Sequence, residues 1–191
     1  MLGAWLRPDV VCMKRTAIVV SAVIVLTSLV LATAGVAAAA ARTSQSVRLT
    51  ALDSTLLVQI NVLRQAHHLS TLKLSRLLNV AANQHTSEMG QAGYFAHDSL
   101  DHTEFSTRIE HSYPSAGHHS WSVGENLLFV APDVSAAEAI TLWMNSPEHK
   151  ANLLDPAWRE IGISARHSTS APGAYENQPV TIITTDFGVR R

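Results

Sequence analysis

Residues 16–41, TAIVVSAVIVLTSLVLATAGVAAAAA, carry no charge, and Lys14 and Arg15 stand directly before them. No water-soluble domain can accommodate such a run on its surface, so the folded part of the chain has to be sought on one side of it. A basic flank, an apolar stretch and a tail of small residues with A-x-A cleavage choices around Ala37 to Ala41 form the layout of an export signal. The run is also long enough to span a bilayer uncut. Residues 1–41 are therefore read as a signal peptide or an N-terminal membrane anchor. Cleavage is favoured, because the run decays into alanine and does not end at an aromatic or basic anchor. Met13 makes a tidier start than Met1, and Cys12 precedes the apolar run, where a lipidated cysteine would not be placed.

The remainder, from Arg42 onward, is long enough for one domain with its own core. It contains no cysteine, so an exported domain must stand here without disulfides, which suits a bacterial secreted protein better than a small eukaryotic scaffold. Three of the 14 basic and one of the 15 acidic residues precede Arg42, leaving 11 against 14 and a net charge near −3. No basic cluster marks a nucleic-acid surface. All 10 histidines fall in this part. Residues 42–50 read as a polar linker and 51–191 as the domain.

Leu52, Leu56, Ile60 and Leu63 recur at helical spacing and predict a helix over about 52–67. A second helix, about 75–90, starts at Ser75 and is ended by Gly90 and Gly93, with Leu78, Ala82, His85 and Met89 on one stripe. That position makes His85 a core histidine with one hydrogen-bond partner. A short helix around 104–110 would turn Phe105 and Ile109 inward. Residues 112–120 are turn-rich, and His111, His118 and His119 read as solvated. Residues 121–130, WSVGENLLFV, look extended. Ser135 and Glu138 form a capping box for a helix ending near Asn145, with Trp143 inward. Ser146 and Pro147 then suit the cap and first position of another helix, 147–153. Strands are expected at about 160–166 and 179–187, joined by a loop over 167–178. This order predicts an α+β domain with a small antiparallel sheet and helices over both of its faces.

Three residues combine ligand chemistry with local structure to hold it. His97 follows the aromatic pair Tyr94–Phe95. Glu125, in 124-GEN-126, shares a strand face with Val123, Leu127 and Phe129, and a carboxylate among such neighbours needs a partner. His149 falls in the first turn of the 147–153 helix, where the dipole disfavours imidazolium. Two imidazoles and a carboxylate are a common donor set for a divalent cation. Yet the spacings, 28 and 24 residues, match no local metal motif, and three separately satisfied polar residues remain the simpler account of the pattern alone. A nucleophile elbow, a phosphate-cradling glycine loop and a dinucleotide fingerprint are absent. Ser99 reads as a turn residue and Trp158 as core.

YFAHDS, GENLLF, LWMNSPEHKANLLDPAWREIGI and ITTDFG occur in this order. Together they resemble the CAP superfamily: the cysteine-rich secretory, antigen 5 and pathogenesis-related proteins with an SCP-like extracellular domain. The likeness is to the cysteine-poor bacterial branch and covers about residues 52–189. It implies an α-β-α sandwich with a central cleft holding two histidines and usually two glutamates. Carried over by motif, His97 is the first histidine, Glu125 the GEN glutamate and His149 the second histidine. The second glutamate is missing: Met144, Asn145 and Ser146 follow Trp143. The resemblance implies a weakly bound Zn2+ or other divalent cation. It makes Asn126 and Asn152 cleft-lining residues with structural hydrogen bonds, and Arg108 and Asp186 scaffold residues.

The function expected from this likeness is an exported binding module for a small molecule, a lipid or a cell-envelope component. It would have no firm catalytic activity and no nucleic-acid partner, and would meet a membrane only through an uncleaved N-terminal segment. The alternative is a metal-assisted hydrolase or peptidase with Glu125 as base.

Overall fold

The computed structural model describes residues 49–191; the expected signal peptide or anchor over 1–41 and the expected linker up to residue 48 lie outside the described residues. The first helix, α1 (Ala51–Ala66), is opened by a reciprocal cap in which Thr50 Oγ1 accepts from the Asp53 amide and Asp53 Oδ2 accepts from the Thr50 amide. Its two charged residues, Asp53 and Arg64, are both buried. Asp53 Oδ1 accepts from the Ala165 amide at 2.7 Å, and Arg64 donates to the carbonyls of Ser70, Leu153 and Asp155. Both charges therefore serve as fasteners between segments distant in sequence.

A two-residue strand, β1 (Lys73–Leu74), leads into α2 (Arg76–Ala92), which ends at Gly93 with φ 71°. Then come α3 (Phe105–Ser112), β2 (Trp121–Val130), α4 (Ala136–Met144), α5 (Pro147–Leu153), β3 (Glu160–Ala171), a 3-10 turn over Gly173–Tyr175 and β4 (Gln178–Arg190). The strand order is β1-β3-β4-β2. β4 pairs antiparallel with both β2 and β3, whereas β1 runs parallel to β3. The sheet is thus mixed, where an antiparallel one was expected. Two residues are too few to show an alternating pattern, and a parallel partner needs the long helical crossover that separates β1 from β3.

β3 and β4 also extend through half of the expected 167–178 loop, over 167–171 and 178. Residues 166–170 of β3 are polar and largely exposed and carry no hydrophobic signal; Arg166, His167 and Ser168 are held by pairing with β4, and the register shifts between Ser168 and Ala171. α1, α4 and α5 cover one face of the sheet, burying Leu56, Ile60, Trp143, Ile161, Ile183 and Phe187. α2 and α3 cover the other, around Leu78, Ile109, Tyr113 and Val123. The domain is an α-β-α sandwich. Trp158 is buried with them, as expected.

α2 lies close to the sheet because Gly162 has no side chain: a Cβ there would collide with the backbone of Leu78 and Asn79. Between α2 and the strands runs a buried polar layer in which Thr86 Oγ1 and Thr184 Oγ1 are 2.8 Å apart. The same layer contains His85, Arg108, Glu125 and Asp186.

Candidate functional site

Tyr94 and Phe95 anchor the loop that follows α2. Phe95 meets the ring of Phe129 edge-on at 4.8 Å, and Tyr175 donates its hydroxyl to the Tyr94 carbonyl. The backbone on either side of His97 is then fixed. His85 Nε2 is 2.9 Å from the Ala96 carbonyl, and Arg108 Nη2 donates to the carbonyl of His97 itself. Glu88 accepts from Ser99 Oγ and the Leu100 amide, while Asp98 Oδ1 accepts from the Phe105 amide at the start of α3. His85 is fully buried with a single strong partner, in the role its place on the apolar stripe suggests. Burial, ahead of the Arg108 charge, holds its pKa below the usual histidine value.

Glu125 reaches this loop from β2. Its Oε1 is 2.8 Å from His97 Nδ1 and its Oε2 accepts from Arg108 Nη2. The Glu125 side chain is wholly buried and that of His97 is 22% exposed. Burial alone would raise the Glu125 pKa, but the Arg108 guanidinium and the imidazoles of His85 and His97 outweigh it and hold the carboxyl well below the usual range. Directly opposite on β4 sits Asp186, with both oxygens buried and no conventional partner. Burial first, and then the Glu125 charge, raise its pKa well above the ordinary value. Two carboxyls this close cannot both ionise. The pair therefore favours the protonated form of Asp186 beside an ionised Glu125. Arg108, whose pKa is raised despite burial by the charges of Glu125 and Asp186, is the cation that lets one of them ionise.

His149 arrives from the other face of the sheet, around the β2 edge. Asn152 Nδ2 donates to the Glu125 carbonyl and to Asn126 Oδ1, both at 3.0 Å. Asn126 Nδ2 in turn donates to the His149 carbonyl. These bonds tie α5 to the strand position that carries Glu125. Gly124 makes the approach feasible, because a Cβ there would lie 2.6 Å from Asn152 Oδ1. The first position of α5 is Pro147, as expected, but Ser146 makes no capping bond to the helix backbone. Its hydroxyl donates to Glu148 Oε2 at 3.3 Å. Burial, with His97 adding a smaller effect, lowers the His149 pKa to about 4, so the ring is neutral at physiological pH. Its Nδ1 is buried without a partner.

His97 and Glu125 thus meet directly, and His149 is tethered beside them through Asn126. The donor set differs from the expected three ligands, since both Glu125 oxygens are already engaged. Among the described residues no group of three His, Cys, Asp or Glu side chains is arranged to hold a metal ion. The residues do not fit a tightly held cation. Sequence reasoning did not assign Arg108 or Asp186 to the site itself. An arginine on the inward face of α3 and an aspartate inside a hydrophobic strand are the signals that could have drawn them in, because each needs a buried counterpart. Two surface grooves, of about 480 and 570 Å³, lie elsewhere, and neither is lined by His97, Glu125 or His149.

Residues 57–184 match the sequence profile described as "CAP: Cysteine-rich secretory protein family". Among solved structures, the fold is similar to an outer surface protein from Borrelia burgdorferi, with TM-score 0.58 and 22% identity, covering 72% of this chain and 92% of that one. It is also similar to an extracellular protein containing an SCP domain from Bacillus anthracis, with TM-score 0.54 and 24% identity, covering 76% of this chain and 45% of that one. No curated protein sequence matches the chain.

Proposed function

The chain belongs to the cysteine-rich secretory protein (CAP) family, and from that premise we propose that it is an exported binding module whose His97 and His149 at the β2 edge meet a small molecule, a lipid or a cell-envelope component. The observation that carries this reading is the state of Glu125. Its oxygens are engaged by His97 and Arg108 in a fully buried position, so it acts as a fixed counter-charge. A general base must be within reach of the proton it abstracts and have a pKa near the working pH. Glu125 meets neither condition, which leaves the hydrolase reading without its base.

What remains to face a ligand is His97, half-buried and oriented through Nδ1, and His149, neutral and beside it. Imidazoles on a fixed backbone offer hydrogen-bonding groups at low entropic cost. A divalent cation here would have two imidazoles as its protein donors, fewer than the three or four of a firm zinc site, so the proposed function does not run through a metal. The two similar structures are an outer surface protein and an extracellular protein, which supports export, as does the uncharged run at 16–41.

Solvent extraction of the purified full-length chain followed by mass spectrometry tests the proposal. Co-purifying compounds are expected from the native chain and reduced in the His97→Ala/His149→Ala double variant. Consistently empty protein would count against binding. Turnover of ester or peptide substrates that is lost in Glu125→Gln would replace it with hydrolysis.

A further inference from the structure

We propose that the outer edge of β3 at Ala165–Ser168, together with the polar flank of α2, is a docking site for an extended peptide segment that carries an acidic side chain. It shares no residue with the His97–Glu125–His149 site.

The backbone groups along this edge are satisfied in a sequence of partners that runs out. The Arg159 and Ile161 carbonyls accept from the amides of Lys73 and Ser75, that is, from β1 and the residue after it. Beyond Leu74 there is no further strand, and side chains take over. Asn79 Nδ2 donates to the Ile163 carbonyl, and Asp53 Oδ1 accepts from the Ala165 amide. The two-residue period of a strand places the Ala165 carbonyl and the His167 amide next on the same edge. No described residue pairs with them there. Arg166 and His167 are exposed at this point. An acceptor followed by a donor at strand spacing is what an added strand satisfies.

A groove of about 570 Å³ lies alongside, between α2 and β3, within the size range of ligand sites. Asn79, Asn83, Ser87 and Gln91 line its helical side; Asn79 Nδ2, Asn83 Oδ1 and the Ser87 hydroxyl proton are already engaged, which leaves Asn79 Oδ1, Asn83 Nδ2 and the Gln91 amide for the backbone groups of a peptide. No Phe, Tyr or Trp lines it, so it lacks the stacking surface that a sugar ring would use.

Charge selects the peptide. Both oxygens of Asp53, the one carboxylate in the groove lining, are spent on the Thr50 and Ala165 amides. Arg166 lies over α2 with Nε and Nη2 on Asn83 Oδ1, and its Nη1 has no partner among the described residues. The acids Asp133 and Glu138 line the separate groove beyond His167. On the α2 side, the groove therefore offers a cation with no competing free carboxylate.

The test is NMR titration of the full-length chain in detergent with the capped peptide acetyl-Thr-Val-Asp-Val-Thr-Val-amide. Saturable shifts are expected in the amides of Ala165–Ser168 and in the side-chain amide of Asn83. Methylating two same-edge backbone nitrogens of the peptide removes strand hydrogen bonds without altering the protein, and should weaken binding about tenfold. Arg166→Ala should weaken it about two- to fivefold, the scale of an exposed ion pair. Equal binding of the methylated peptide, or shifts confined to other parts of the chain, overturns the proposal. So does a neutral chitin oligosaccharide that moves these amides when the peptide does not.

Discussion

His97 Nδ1 lies 2.8 Å from Glu125 Oε1, and this contact sets the orientation of the ring. With Nδ1 taken up by the carboxylate, the Nε2 edge is the one left to meet a ligand. Arg108 on the second oxygen and protonated Asp186 behind it complete a buried group whose charges nearly cancel.

That cancellation makes Arg108 the member whose loss should cost most. Arg108→Met leaves Glu125 ionised and buried without its cation, and the expected destabilisation is about 3–5 kcal/mol. Urea unfolding measures it. Adding Glu125→Gln to the same chain should recover most of the loss, because the uncompensated charge goes with it. A double variant no more stable than the single one would show that Arg108 acts through packing.

Asn152 joins the two faces of the site. Asn152→Ala removes the bonds to the Glu125 carbonyl and Asn126 Oδ1, while the Trp158 indole retains the Asn152 backbone carbonyl. The expected cost is about 2 kcal/mol. NMR should show the His149 ring signals moving as α5 loses its tie to β2. Unchanged His149 signals would mean that α5 is positioned by its apolar contacts alone.

His149 gives the domain a dependence on pH with a definite sign. Its folded pKa, about 4, is below the unfolded value of about 6.5, so the unfolded chain binds the extra proton. Its contribution to stability is complete above about pH 6.5 and is lost as pH falls toward 4. Thermal melts of the native chain and of His149→Gln across that window should converge as the pH drops. A gap that is constant with pH would rule out this titration.

Two glycines on the α2 side should respond in opposite ways to the same added methyl. Gly162→Ala drives a Cβ into the Leu78–Asn79 backbone, which cannot move aside without shifting α2, and about 3 kcal/mol of stability should be lost. At Gly90 the new Cβ would lie 3.3 Å from Ile182 Cδ1, a movable side-chain end. The helix-interior gain of about 0.5–1 kcal/mol should make Gly90→Ala neutral or stabilising. Chemical denaturation of both variants decides the matter.

Helix ends were legible because they are written in local chemistry. The Ser135–Glu138 box, Pro147 at the start of α5 and the left-handed Gly93 after α2 all lie where the residues suggested. The strand arm 167–171 was not legible, because its polar residues gain order from the β4 pairing of His167, Ser168 and Ala171 and not from an alternating buried face. β1 was missed because two residues have no period.

The amino-acid order by itself determined which segments could be helical, which face of each would be apolar, and that Glu125 would need a buried partner. The resemblance of four motifs supplied the grouping of His97, Glu125 and His149. Only the tertiary structure decided that the partner of Glu125 is Arg108, that Asp186 stands across from it, and that among the described residues no third free donor joins the two imidazoles. The reason is physical. Helical and strand periodicities act over a few residues, whereas the charge state of a buried carboxyl depends on which groups the completed sheet and helices bring within a few ångströms of it.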